Sequence, residues 1–153
     1  MKGDTEMYLV CFKCYTVFNG RKLGNLSQCP NVLCGVGELH QIDELLIPAI
    51  IALNKKGYET KLSCSTHILR DTLDKLPFKQ YGSDTIYIQF KGDRGIILPS
   101  APEGFDITIF KNSGVIDLRS KSYEGSSIIE LQRYTFSLIT QLSEWADSLP
   151  ISK

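Results

Sequence analysis

Apolar and polar positions along this chain change period several times, and each change marks an element. Glu6 to Cys11 alternate as a strand does, and Tyr15 to Phe18 form a second short run before the turn signal Asn19-Gly20. From Leu45 to Lys56 the period becomes helical, with Leu46, Ala49, Ile50 and Leu53 on one side. Pro48 is tolerated only in a first turn, so the regular helix is expected to begin near Ile47, and Gly57 follows its last turn. Tyr58 to Ser65 returns to strand character. Asp84 to Phe90 is a clearer strand, with Ile86, Ile88 and Phe90 on one face and Thr85, Tyr87 and Gln89 on the other. Between these two strands, Arg70 to Ser83 reads as an excursion. Asp106 to Phe110 and Gly114 to Arg119 flank Asn112 and Ser113 and predict a hairpin. Ser127 and Glu130 are spaced as a capping box, opening a long helix that Pro150 ends. Its stripe is Ile128, Leu131, Leu138, Leu142, Trp145 and Leu149, widened by Ile129, Phe136 and Ile139, as a helix packed across a sheet requires.

Four cysteines interrupt the first part of this pattern as two clips, Cys11 with Cys14 and Cys29 with Cys34. Glycines at 35 and 37 close the second clip, where the backbone must turn so that amide protons face the sulfurs. Four thiolates in this arrangement can fill a tetrahedral shell around Zn²⁺, and a shell closed by protein leaves no position for an activating water. The expected role of the metal is therefore structural. Strand, knuckle, hairpin and knuckle in this order read as a zinc ribbon over residues 1–40. Residues 41–153 then form an α+β domain: a small, mostly antiparallel sheet with a middle helix and a long C-terminal helix.

Composition narrows the class. The chain has 153 residues, 42% hydrophobic and 22% charged, which is ordinary for a folded domain. Lys plus Arg equals Asp plus Glu at 17 each, so strong duplex nucleic-acid binding is not expected. The longest basic runs are Arg21-Lys22 and Lys55-Lys56. No signal-peptide pattern and no span of apolar residues long enough for a bilayer is found, so a cytoplasmic location is expected and no membrane partner.

A second constellation follows the middle helix. On an extended strand Ser63, Ser65 and His67 share one face, and Leu62, Cys64 and Thr66 the other. The first face gathers hydroxyls and an imidazole suited to hydrogen-bonding a polar ligand, whereas Cys64 is expected to point inward as a small hydrophobe. Arg70 and Arg94 are candidate anion contacts, set against a solvated surface role. Tyr81 is a candidate stacking residue on the excursion, set against ordinary packing. His40 is expected to hydrogen-bond locally.

The two clips, Gly37-Glu38-Leu39-His40, the helix ending in Asn54-Lys55-Lys56-Gly57-Tyr58, and Ser63-Cys64 with His67 resemble small uncharacterised zinc-ribbon proteins of Firmicutes and their phages over residues 9–102. That resemblance implies the fold and no established activity. Thr66 stands where those proteins carry glycine, which leaves a tight turn at that place without support. Ser63-Cys64-Ser65 also resembles a strand of the wybutosine-synthesis methyltransferases, over about 30 residues and without that family's later motifs.

These readings lead to a non-enzymatic binding protein, phage-type by resemblance, whose Ser63, Ser65, His67, Arg70, Tyr81 and Arg94 contact a small nucleotide-like ligand beside a structural zinc. The location would then be the host cytoplasm. A protein- or nucleic-acid-interaction module acting through the ribbon is the alternative. A third class is an enzyme, either methyltransferase-like or dependent on Cys64. The broad apolar face of the last helix also suits a homodimer.

Overall fold

The computed structural model describes residues 8–20, 28–35, 37–64, 85–92, 95–121 and 128–152. Strand β1 (Tyr8–Cys11) turns through the first cysteine clip into β2 (Val17–Asn19), and β3 (Leu39–Ile42) pairs on the other edge of β1. All three are antiparallel, in the order β2-β1-β3. Asp43 and a short 3-10 turn, Glu44–Leu46, lead into helix α1 (Ile47–Lys55). Pro48 occupies the first turn, where its missing N–H costs nothing. The helix ends at Gly57, whose φ of 92° lets the Tyr58 N–H return to the Leu53 carbonyl at 2.9 Å.

A second sheet contains β4 (Thr60–Cys64), β5 (Tyr87–Phe90), β6 (Phe105–Ile109) and β7 (Ile116–Ser120), in the antiparallel order β4-β5-β7-β6. The chain closes with α2 (Ile128–Ser148). The expected α+β class, with a middle helix and a long final helix, is what forms. No helix among the described residues is long and apolar enough to cross a membrane.

Pairing defines the two faces of the second sheet. Ile88 and Phe90 lie opposite Leu118 and Ile116, and all four are buried together with Ala49, Ile50 and Leu53 of α1 and Leu138, Leu142 and Trp145 of α2. The other face carries Tyr87, Gln89, Asp117 and Arg119. Asp117 is buried there, and the Arg119 guanidinium holds it through Nε at 3.1 Å and Nη2 at 3.3 Å. Gln89 donates to the same carboxylate at 3.2 Å, so this buried acid has its charge answered.

The register of β4 corrects one expectation. Thr60 pairs with Phe90 but Leu62 pairs with Gln89, so Lys61 is an extra residue in a β-bulge. Beyond it the faces exchange. Ser63 lies opposite Ile88 on the helix side, while Leu62 and Cys64 lie opposite Gln89 and Tyr87. Leu62 is 54% exposed and Cys64 half-buried, so Cys64 does not point into the core. A second correction concerns α2: Ile129 and Phe136 do not widen its buried stripe but are exposed. At about 100° per residue they stand on the opposite side from Leu138. Ile139 does pack against the core.

The two helices are joined at their C-terminal ends. The Lys56 ammonium donates to the carbonyls of Ala146 (2.9 Å) and Asp147, where a positive charge meets the negative pole of α2. The Tyr58 hydroxyl donates to the Pro150 carbonyl at 2.7 Å, and the Ser152 N–H to the Lys56 carbonyl at 2.7 Å. Val10 and Ile42 of the first sheet belong to the same buried cluster as both helices. Phe90 is fully buried at its centre, and Phe90→Ala is expected to lower unfolding free energy by about 3–5 kcal/mol in urea titrations. A loss below about 1 kcal/mol would place the core elsewhere.

Candidate metal centre and adjoining cleft

Each clip is shaped by its own backbone. In the first, the Tyr15 N–H returns to the Cys11 carbonyl at 2.9 Å, and Tyr15 takes the left-handed φ of 60°, rare for a residue with a Cβ. The turn aims the N–H groups of Lys13 and Cys14 at the Cys11 sulfur, each at 3.4 Å. In the second clip the Asn31 carbonyl accepts from Cys34 and Gly35, while its side-chain oxygen accepts from the Leu33 N–H at 3.1 Å. Gly35 has φ 69°, and a Cβ on Gly37 would lie 2.1 Å from the Cys11 sulfur. Glycine at 37 is therefore a condition for the clips to close.

The sulfurs of Cys11, Cys14, Cys29 and Cys34 all lie within 4.8 Å of one another, close enough to bind a metal ion. Cys11 and Cys34 are 3.8 Å apart, and Cys14 and Cys29 3.7 Å. A tetrahedron with metal–sulfur bonds of about 2.3 Å has an edge of roughly 3.8 Å. A disulfide needs about 2.05 Å, so these pairs are spaced as ligands and not as bridges. Hydrogen bonds from the Thr16 hydroxyl and backbone hold the Cys14 thiol down at about 6. Burial pushes Cys29 up to about 12, against a hydrogen bond from the Asn31 backbone.

The first clip also builds one wall of a cleft. Phe12, between the two clip cysteines, stacks on His40 with ring centroids 4.0 Å apart and an 18° interplanar angle. Burial lowers the His40 pKa, opposed by Glu38, whose carboxylate is 3.5 Å away. On one side of the stack is a cavity of about 230 Å³ bounded by Gln41, Ile42 and Thr60 to Ser63. A second cavity of about 260 Å³ shares Phe12 and His40 and is lined by Lys13, Tyr15, Glu59 and Lys91, among others. The Lys55 ammonium sits 5.4 Å from the centroid of the Tyr15 ring.

Of the sequence-predicted residues, Cys11, Cys14, Cys29 and Cys34 come together, and Ser63 lines the smaller cavity. Ser65, His67, Arg70, Tyr81 and Arg94 lie outside the described residues. Phe12, Lys13, Tyr15 and Lys91 were not among the candidates. The available signal was the first clip itself, because a sharp turn around a cysteine cluster displays the residues between the cysteines. No protein family, curated protein or solved structure matches the chain.

Loading this cluster removes the Cys29 proton, since that thiol is protonated at neutral pH when metal-free. The loaded state holds fewer protons than the free state, so acidification favours release. Metal release to a colorimetric chelator is expected to increase from about pH 7 to about pH 5, most steeply where Cys14 also regains its proton. Release that does not vary across this window would contradict thiolate ligation.

Proposed function

We propose that residues 1–40 form a zinc ribbon and that the chain is a binding protein, with the ribbon serving as one wall of its ligand cleft. The observation that carries this reading is the position of Phe12. It lies between two cysteines of the cluster and also lines both cavities. The metal in this reading holds structure: four cysteines complete its shell, and Zn²⁺ suits an all-thiolate tetrahedron. Comparable small sites draw about 10–16 kcal/mol of apparent binding free energy near neutral pH, enough to fold a segment with little core of its own. The reading fits a small ligand-holding protein of the phage type that the sequence resembles.

Native mass spectrometry tests it directly. One zinc per chain is expected, lost in Cys11→Ser and kept in Cys64→Ser, because Cys64 is not part of the cluster. A chain that folds fully without metal would overturn the ribbon reading.

One observation favours a second reading, an interaction module. Val32 and Leu33 at the tip of the second clip are 94% and 93% exposed, presented by a loop whose base is held by Asn31. They are the residues by which this clip exceeds a two-residue spacing. Replacing both with serine is expected to shift stability by less than about 0.5 kcal/mol with zinc retained. A larger loss would show that they pack and are not displayed.

A further inference from the structure

The cleft collects a charge pattern that the sequence disperses. Lys13 lies in the first clip, Lys55 at the end of α1, Lys61 in the bulge of β4 and Lys91 just after β5. Lys13 and Lys91 line the larger cavity and Lys61 the smaller, while Lys55, which lines neither, sits over the ring of Tyr15. Against these four cations stand the carboxylates of Glu38 and Glu59. The two cavities are thus lined by three lysines and two carboxylates, with Lys55 beside Tyr15. Zn²⁺ held by four thiolates would add a net charge of −2 at the first clip, so these cations act locally and not as a net positive field. Three aromatic rings, Phe12, His40 and Tyr15, stand among the lysines.

Cations spaced around aromatic faces match the chemistry of a nucleotide, in which a flat base adjoins a phosphate. Acceptors and donors for base edges are present as well, in Gln41, Ser63 and the His40 ring. Each cavity, at about 230 and 260 Å³, suits one base-sized group. A base paired inside a duplex has both faces covered and cannot reach such a recess without leaving its stack.

Resting on the binding-protein reading above, we infer that this cleft binds an unpaired nucleotide unit, its base on the Phe12–His40 stack and its phosphate between Lys13 and Lys91. The unit is either a free mononucleotide or one residue of a single strand. Both present the same chemistry, and only the strand extends onward past Lys55 or Lys61.

The test uses the zinc-loaded full chain, with zinc content measured on each sample. Fluorescence anisotropy with a labelled mixed-sequence DNA 10-mer and its duplex is run alongside calorimetry with AMP, GMP, CMP and UMP. Saturable binding of the single strand, or of a mononucleotide alone, is expected, the two arms distinguishing the source. Lys13→Gln and Lys91→Gln are each expected to weaken it about threefold or more. For the strand, each should also reduce the salt slope by about 0.7. Phe12→Leu, which keeps an apolar side chain beside the core while removing the ring, is expected to weaken binding about tenfold with zinc content unchanged. Absence of binding by a zinc-loaded chain, binding indifferent to all three substitutions, or equal affinity for the duplex would each overturn the inference. A chain without zinc would instead overturn the ribbon reading, and this inference with it.

Discussion

Four sulfurs within 4.8 Å of one another can all be ionised only around a cation, and much of the N-terminal half depends on that constraint. The first sheet has three strands of three or four residues each, too little pairing to be stable alone. Its contribution to the common core among the described residues is Val10 and Ile42, with Phe12 packed against the edge. With a metal bound, the cysteine cluster would supply the remaining order. By fixing the turn from Cys11 to Tyr15 it also fixes Phe12, Lys13 and the left-handed Tyr15, and so the shape of the cleft. Cysteine cluster and cleft are in this sense one structure: a change at the sulfurs of Cys11 or Cys14 is expressed at the adjoining residues Phe12, Lys13 and Tyr15 as a change in the cavity wall.

The join with the rest of the chain is made by side chains that satisfy backbone groups. Asn54 near the end of α1 accepts from the Thr60 N–H at 3.2 Å and donates to the Thr60 hydroxyl at 3.0 Å and the Ile50 carbonyl at 2.8 Å. One amide therefore closes the helix and sets the first residue of β4. Asn54 and Thr60 themselves line the cavities, so one wall of the cleft is positioned by α1 and the second sheet while the other is positioned by the first cysteine clip. Two independently braced walls are what a preformed site requires.

Much of the fold was legible because it follows local rules. Ile86, Ile88 and Phe90 alternate as written and are fully buried; Pro48 and Gly57 bracket α1; the hairpin turns at Gly114. The cysteine cluster was legible because its chemistry demands spacing. What was not legible depended on pairing across the chain. The bulge at Lys61 is seen only against β5, and it reverses the faces of Ser63 and Cys64. Ile129 and Phe136 read as core by hydrophobicity, yet no layer lies on their side of α2 among the described residues. The lysines around the cleft are dispersed over residues 13 to 91, so no run of basic residues announced them.

The bulge has a consequence of another kind. A sheet edge is a template on which foreign strands can align, and β4 is one edge of the second sheet. An extra residue there breaks the repeat that an added strand would follow, and that residue is a lysine, whose charge resists burial. The opposite edge, β6, has no such irregularity; it ends at Ile109, 61% exposed, and Phe110 follows it, 48% exposed. Among the described residues the sheet is thus guarded on the side of the cleft and open on the other. Association of partly unfolded chains would therefore have a preferred direction, growing outward from β6 and leaving the side of the cleft clear.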